Sequence, residues 1–395
     1  LLEDLGTWSG VLEHDRIPFV SYPYEWSFGM LRRAAELQLE LLLAALDEGM
    51  TLKDASSYNV QFQGTRPVFI DIGSFETWHK GEPWIGYQQF CQLFLYPLML
   101  TAYKDVAFHS WLRGAIDGIE PEEMAALMGG RDLMRSGVMT HVRMLAAAKA
   151  KAADRKESTR GALQDAGFGK EMIQHNARGL LKLVRKLEWQ RSDSTWADYA
   201  ENSPYSDEDR ERKRQFVAEC AETQRWGSTW DLGANTGEFS RIAARHSDYV
   251  LAMDSDHLAV ERLFRELEGE GEIDNILPLV MNLASPSPGN GWRGAERKPL
   301  LDRPGPDLVL ALALTHHLVI SANVPVTDLL DWFHSLGGHL ILELVTKSDP
   351  MPQKLLLNKA DNYDDYETEA FEEALEYRFE LLRKEPLCEG RRLLY

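Results

Sequence analysis

A glycine-containing turn between an acidic residue and the start of a helix is the strongest chemical signal in the sequence. It reads Trp230-Asp231-Leu232-Gly233-Ala234-Asn235-Thr236-Gly237-Glu238-Phe239-Ser240. Gly233 and Gly237 lack a Cβ atom, so a ligand can come close to the backbone there. The GxGxxG dinucleotide motif needs glycine at positions 233, 235 and 238, but two of these hold Asn235 and Glu238. A pyrophosphate beside Glu238 is disfavoured, so the turn indicates a nucleoside ligand without one.

Two more polar residues follow the next two predicted strands. Asp254 ends the first of them, 23 residues after Asp231, where its carboxylate can accept hydrogen bonds from ribose hydroxyls. Asn282 follows the other strand and can approach a base. The carboxyl ends of parallel strands share one edge of a sheet, so these residues predict a single crevice. In the alternative interpretation, the glycines only form a tight turn and Asp254 only caps the helix that begins near His257.

Strands and helices alternate along the second half of the chain. Strands are predicted over 229–232, 249–253, 275–280, 307–312 and 339–344, and helices over 238–245, 257–267 and 327–335. This alternation predicts an α/β fold with a Rossmann-like, doubly wound sheet. Residues 1–200 read instead as a mostly helical domain with a small β element, including a helix over 27–46 and strands over 58–62 and 67–72. We place the domain junction in the polar stretch 190–211, with the second domain spanning 201–395.

The ordered set of strand-end residues resembles the class I S-adenosylmethionine-dependent methyltransferases. It comprises Asp231-Leu-Gly-Ala-Asn-Thr-Gly, Asp254, Asn282 and Asp307 opening a further strand, and the resemblance covers about residues 205–395. It implies S-adenosylmethionine as cofactor, with Asp231, Gly233, Asn235 and Gly237 around the methionine part, Asp254 at the ribose, and Met281, Asn282 and Leu283 at the adenine. It also implies a closing antiparallel hairpin, expected over 379–382 and 392–395. Asn235 replaces the usual middle glycine and could donate a hydrogen bond to the cofactor's carboxylate.

Strings across nearly the whole chain are similar to a group of bacterial methyltransferase-like proteins associated by name with nodulation. These strings are Ser21-Tyr22-Pro23-Tyr24-Glu25-Trp26, Leu52-Lys53-Asp54-Ala55-Ser56, Phe69-Ile70-Asp71, Ser74-Phe75-Glu76 and Leu310-Ala311-Leu312-Ala313-Leu314-Thr315-His316-His317. The resemblance implies transfer of a methyl group to an O or N atom of an unidentified acceptor, with a small molecule or sugar favoured.

The acceptor's proton needs a base, and three residues are candidates. Methyl transfer from a sulfonium is an in-line displacement, so the protein aligns the acceptor, excludes water and removes any proton. His316 and His317 follow the fourth predicted strand, and an imidazole with a pKa of about 6.5 suits proton removal at neutral pH. Neighbouring side chains diverge, so at most one of the two is expected to face the acceptor while the other packs or hydrogen-bonds to backbone, and a structural role stays open for either. Glu343, which ends the next strand, is a second base, a residue that orients a histidine, or only a cap.

Tyr205 and Lys213 precede the glycine turn in a helix-like stretch. They could form a lid over the cofactor, but the neighbouring charges, at Asp207, Glu208, Arg210, Glu211 and Arg212, favour a solvated helix.

A second set of residues, in the first half, has the spacing of a kinase site. Asp54 and Asn59 fit a DxxxxN catalytic loop, and Asp71-Ile72-Gly73 fits a DFG-like metal site that begins 17 residues after Asp54. However, Leu52-Lys53 stands where a kinase has His-Arg, and no glycine-rich loop precedes residue 27. The alternatives for this set are a kinase-like remnant, an active phosphotransferase module joined to a methyltransferase, and a plain capped turn with a hairpin. For the whole chain, a catalytically degenerate nucleoside-binding regulatory protein remains an alternative.

Composition limits the partners. Lys and Arg number 43 against 62 Asp and Glu, giving a net charge of −19 that opposes extended nucleic-acid binding. Three dispersed cysteines favour a reducing cytoplasm, and neither they nor the adjacent histidines predict a metal site. The longest apolar run, about 90–103, is too short for a membrane span.

Overall fold

Helices dominate the first half of the chain. The computed structural model describes residues 13–153, 169–191, 205–271 and 274–395. In the first two of these ranges the helices are α1 Phe28–Asp47, α2 Tyr87–Phe90, α3 Tyr96–Lys104, α4 His109–Gly114, α5 Pro121–Leu127, α6 Met144–Ala153 and α7 Lys170–Lys186. Ser27 caps α1, because its hydroxyl accepts the Met30 N–H at 3.3 Å. The predicted helix over 27–46 is therefore confirmed.

The β element of this half consists of two antiparallel pairs. The strand β1 Met50–Leu52 pairs with β4 Phe75–Thr77, and β2 Val60–Gln63 pairs with β3 Arg66–Phe69. The second pair is the predicted hairpin, with its turn at Gly64 and Thr65. The first pair was not predicted from the sequence, because three-residue strands are too short to show an alternating pattern.

The second half is built on a seven-stranded sheet. Its strands are β5 Trp226–Leu232, β6 Ser247–Asp254, β7 Ile276–Val280, β8 Leu308–Ala311, β9 His339–Val345, β10 Glu385–Leu387 and β11 Arg392–Leu394. They lie in the order β7-β6-β5-β8-β9-β11-β10. The first five are parallel, whereas β11 is antiparallel to both neighbours. The predicted Rossmann-like, doubly wound sheet is confirmed.

Helices connect the parallel strands, and the connections decide where a ligand can bind. The helices α9 Glu238–Ala244, α10 His257–Glu270 and α11 Val326–Leu336 connect β5 to β6, β6 to β7 and β8 to β9. The helix α8 Asp207–Glu222 precedes β5, and α12 Pro350–Leu356 and α13 Thr368–Glu376 lie between β9 and β10. From β5 the chain adds β6 and β7 on one side and later β8 and β9 on the other. A crevice opens where the direction of strand addition reverses, at the carboxyl ends of β5 and β8. The glycine turn follows β5 directly.

The closing hairpin lies at a different place from the one predicted. Its first strand is β10, whereas residues 379–382 form no strand and Leu382 is 74% exposed. The apolar pair Leu381-Leu382 suggested a strand, but the pairing is set by β11, in which Arg392 lies opposite Leu387. Pro386 is tolerated because β10 is the edge strand, where a missing N–H breaks no ladder.

The two halves share one continuous hydrophobic core. Across the contact, the Arg303 guanidinium donates to both carboxylate oxygens of Glu25 at 2.7 and 2.9 Å, and both side chains are buried. The Glu261 carboxylate of α10 accepts the Gly29 N–H in the first turn of α1 at 2.7 Å. The predicted boundary at residue 200 falls outside the described residues. None of the described helices is long and apolar enough to cross a lipid bilayer.

Candidate functional site

The turn after β5 adopts a conformation that favours its two glycines. Gly233 has φ +83° and Gly237 φ +79°, and Asn235 between them is also left-handed at φ +49°. A Cβ atom on Gly237 would lie 2.5 Å from Leu263 Cδ1. The Gly233 and Ala234 N–H groups donate to the Met253 carbonyl at 2.8 and 3.0 Å, which ties the turn to β6. The turn is therefore held open by backbone geometry that side chains would disturb.

Asp231, at the end of β5, lies beneath this turn and is almost fully buried. The Ser240 hydroxyl, from the first turn of α9, donates to its carboxylate at 2.6 Å. Burial, together with the charge of Asp254, raises the pKa of Asp231 to about 6. The carboxylate is thus negative at neutral pH but is held in an environment that resists that charge.

Asp254, at the end of β6, faces the glycine turn. One carboxylate oxygen accepts the Asn235 N–H and the other accepts the Asp256 N–H, each at 2.8 Å. Burial raises the pKa of this carboxyl despite those hydrogen bonds. Each carboxylate oxygen can accept a further hydrogen bond, so Asp254 can still receive donors from a ligand.

The residues after β7 form the third side of the site. Met281 is buried, with its sulfur near the Ser287 N–H at 3.4 Å, and its own N–H donates to the Asp254 carbonyl at 2.8 Å. Asn282 is exposed and accepts the Ala284 N–H on its side-chain oxygen at 3.0 Å. These residues and Leu283 place a mixed apolar and polar wall beside the end of β6.

All three groups line one cavity of about 450 Å³. Every predicted cofactor-binding residue except Gly237 lines it: Asp231, Gly233, Asn235, Asp254, Met281, Asn282 and Leu283. Tyr205, Arg210, Lys213, Phe239, Leu314 and His317 complete much of the remaining wall. Among the described residues the lining begins at Tyr205, so the first half of the chain contributes none of it.

The two adjacent histidines lie in different environments. His317 begins a π-helical turn, His317–Ser321, and lines the cavity. Burial, with a smaller effect of Arg392, lowers the pKa of His317 to about 4. His316 is fully buried behind it, with ring centroids 3.9 Å apart, and does not line the cavity. Burial, followed by the neighbouring His317 and Arg392, lowers its pKa well below the ordinary value. Both rings are therefore neutral at pH 7.

Glu343 lies below the cavity in a buried ionic network. Lys213 Nζ donates to one of its carboxylate oxygens at 2.7 Å, while the Tyr205 hydroxyl and Arg392 contact the other. Arg392 also donates to Asp349 at 2.8 Å. Burial alone would raise the pKa of the Glu343 carboxyl, but the charges of Lys213 and Arg392 hold it below its ordinary value. Glu343 itself does not line the cavity.

Comparison with known proteins places the whole chain. It is 33% identical over 392 residues to the nodulation protein NoeA of Rhizobium meliloti (strain 1021). The aligned region covers 99% of this chain and 82% of NoeA. The chain belongs to the NoeA family. The similarity to a nodulation-associated group predicted from the sequence is confirmed. No protein-family model matches the chain.

Solved methyltransferase structures align with about half of this NoeA-family chain. The N-methyltransferase NodS from Bradyrhizobium japonicum WM9 covers 48% of the chain and 95% of its own length, with 11% identity and a TM-score of 0.35. A SAM dependent methyltransferase from Aquifex aeolicus covers 46% and 86%, with 13% identity and a TM-score of 0.32.

The kinase-like residues of the first half are only partly brought together. The Asn59 amide donates to the Asp71 carboxylate at 3.3 Å, and the Ser74 hydroxyl donates to the same oxygen. Asp54 accepts the Gln38 amide on its backbone carbonyl at 3.1 Å. Within the described residues, no group of three His, Cys, Asp or Glu side chains is placed to hold a metal ion. The phosphotransferase hypothesis stays a prediction.

Lys213 is more buried than the solvated helix predicted from the neighbouring charges. Lys213 is only 4% exposed, and its Nζ lies 4.7 Å from the Phe239 ring centroid, although Asp207, Glu208 and Glu211 on the same helix are exposed. The missed signal was its spacing to buried Phe216 and Val217, three and four residues later, which puts Lys213 on the buried face of α8.

Proposed function

We propose that this NoeA-family chain transfers a methyl group from S-adenosylmethionine to an O or N atom of a small-molecule or sugar-like acceptor. The supporting observation is that the glycine turn, Asp254 and residues 281–283 line one cavity at the carboxyl edge of the parallel strands. Such an edge, at the point where strand addition reverses, is where ligands bind in open α/β sheets.

The residues present fit this cofactor. A cavity of about 450 Å³ lies within the range of small-molecule sites. Asp254 keeps acceptor capacity for ribose hydroxyls, and Met281 and Leu283 offer an apolar wall to a base. Glu238 lines the cavity at the position where the dinucleotide motif has its third glycine, so its side chain, which is paired with Arg210 at 2.8 Å, takes space beside the turn that a pyrophosphate would need. When bound, S-adenosylmethionine would supply an electrophilic methyl group.

Of the two histidines, His317 is assigned to the acceptor because it reaches the cavity and His316 does not. With a pKa of about 4, His317 is neutral at pH 7 and can accept a hydrogen bond from the acceptor's O–H or N–H. That pKa lies below the value that suits a general base at neutral pH. His317 therefore orients the acceptor and receives its proton only as that proton becomes acidic during the transfer.

Glu343 is assigned a positioning role instead of that of a base. Its carboxylate is surrounded by Lys213, Tyr205 and Arg392 and has no access to the cavity. Lys213 and Tyr205 themselves line the cavity, so Glu343 fixes part of its wall.

Calorimetry with S-adenosylhomocysteine tests the cofactor, because binding is then measured without turnover. We expect saturable one-site binding by the unaltered protein, and its absence would overturn the proposed function. A labelled-methyl screen then seeks the acceptor. Since the relative is named a nodulation protein, extracts of nodulating bacteria are the first to screen.

The histidine assignment is tested in the same screen once an acceptor is found. His317→Gln should slow methyl transfer and leave the Kd for S-adenosylhomocysteine within about twofold, whereas His316→Gln should act mainly on stability because its ring is buried. Equal activity of His317→Gln and the unaltered protein contradicts the assignment. Binding of S-adenosylhomocysteine with no transfer to any acceptor would favour a regulatory nucleoside-binding protein.

A further inference from the structure

The short helix α4 of the first half contacts the segments that follow β6 and β7, which form one side of the cavity. The His109 ring of α4 lies against the His257 ring, with centroids 4.0 Å apart, and His257 follows Asp254 by three residues. At the other end of α4, the Arg113 guanidinium donates to the Ser285 carbonyl at 3.2 Å and to the Pro286 carbonyl at 3.0 Å. Helix α4 thus bridges the segments that follow β6 and β7.

The segment after β7, residues 282–303, is here termed the base-side loop. It begins with a turn in which the Ser285 N–H donates to the Asn282 carbonyl at 2.9 Å. Arg113 holds the outgoing end of this turn, and the Asn290 amide returns a hydrogen bond to the Arg113 carbonyl at 2.8 Å. Residues 282–284 of the turn line the cavity.

The far end of the base-side loop is held by the first half as well. The Lys298 N–H donates to the Tyr22 hydroxyl at 2.7 Å, and Arg303 forms its buried pair with Glu25. Arg113 binds the loop directly after residues 282–284, which line the cavity, whereas the contacts of Tyr22 and Glu25 lie farther along the loop, at Lys298 and Arg303.

We propose that Arg113 is a positioning residue for the nucleoside end of the cofactor, acting through the Asn282–Ser285 turn. This inference builds on the proposed function. A planar guanidinium that donates to two consecutive carbonyls fixes the orientation of the peptide between them, which a single donor does not. The first half of the chain therefore influences cofactor affinity although none of its described residues lines the cavity.

The test measures the Kd for S-adenosylhomocysteine in the full chain carrying Arg113→Ala, Arg113→Lys or the control Arg225→Ala. Arg225 makes an exposed ion pair with Asp248 at the amino ends of the strands, away from the cavity. We expect Arg113→Ala to weaken binding about five- to tenfold, which is less than two hydrogen bonds from a charged donor contribute, because Arg113 acts on the ligand only through the loop. Arg113→Lys should fall between, because a lysine can satisfy one carbonyl.

Limited trypsin digestion supplies a readout that a general loss of stability would not reproduce. Arg293 is exposed within the base-side loop. In Arg113→Ala, cleavage after Arg293 should accelerate several-fold relative to other sites, with a thermal midpoint close to that of the unaltered protein.

The outcomes separate this inference from the proposed function. If the unaltered protein binds S-adenosylhomocysteine and Arg113→Ala binds it equally well, the positioning role is refuted and the proposed function stands. If the unaltered protein does not bind, both fail. If affinity and thermal midpoint fall together, with no selective cleavage after Arg293, Arg113 is only structural and the inference is again refuted.

Discussion

Replacement of Asp254 by alanine tests the candidate site most directly. The carboxylate accepts two backbone N–H groups, from Asn235 and Asp256, and is the acidic group placed to receive ribose hydroxyls. Its loss removes the ligand's hydrogen bonds and loosens the link between the glycine turn and β6. Hydrogen bonds to a charged group contribute about 1–3 kcal/mol, so the Kd for S-adenosylhomocysteine should rise about 5- to 150-fold.

Asp256→Ala is a matched control for this measurement. Asp256 caps α10 by accepting the Leu258 N–H at 2.8 Å, and it does not line the cavity. Its replacement should cost about 1 kcal/mol of stability and leave the affinity nearly unchanged. Calorimetry on both variants, with denaturant unfolding alongside, separates binding from stability. An unchanged Kd in Asp254→Ala, or an equal loss of affinity in Asp256→Ala, would refute the assignment of Asp254 to the ribose.

Three further predictions concern the surroundings of the cavity. Burial raises the pKa of Asp231 to about 6 in the folded state, so between about pH 4 and 6 the folded state binds a proton on this carboxyl that the unfolded state does not. The contribution of Asp231 to the unfolding free energy therefore falls as pH rises from about 4 to 6. The amide in Asp231→Asn does not titrate, so the unfolding free energy of this variant should rise by about 3 kcal/mol relative to that of the unaltered protein between about pH 4 and 6. A difference between the two proteins that does not change with pH would contradict this. Glu343→Gln leaves Lys213 and Arg392 short of a carboxylate and should cost about 3–5 kcal/mol in urea unfolding, partly recovered by adding Lys213→Met. Simple additivity of the two changes would argue against the network. Gly237→Ala combines φ +79° with a Cβ contact at 2.5 Å and should destabilise by about 1–3 kcal/mol, whereas Gly269→Ala, with open space around it, should not.

The five parallel strands of the second half were predictable because each is largely buried and is bounded by polar residues. The strand β7, for example, is buried at all five positions and appears in the sequence as Ile276-Leu-Pro-Leu-Val280. Continuous apolar runs separated by helical segments have few solutions other than a parallel sheet. The strand ends fix which residues meet at its edge, so Asp231, Asp254 and Asn282 could be placed together without coordinates.

The apolar pattern of the sequence predicted the strands less well where short strands pair with partners far away in sequence. The strands β1 and β4 hold three residues each, and the closing hairpin was predicted over the more apolar segment 379–382 although its first strand is β10. In such cases the partner strand decides the pairing, and local composition carries little information. The same reason hides Arg113, because its partners are two backbone carbonyls 172 and 173 residues away. Any residue type offers a carbonyl, so no sequence motif marks this contact.

The histidine pair shows where a sequence pattern reaches its limit. Position along the chain placed both His316 and His317 at the end of β8, but successive residues on a helical turn point about 100° apart. Only the structure of the turn His317–Ser321 shows that the second ring lines the cavity and the first is buried in the core. The same burial that fixes this orientation also lowers both pKa values. Geometry and proton affinity therefore have one cause here, and a variant that exposes His317 should raise its pKa and loosen its orientation together.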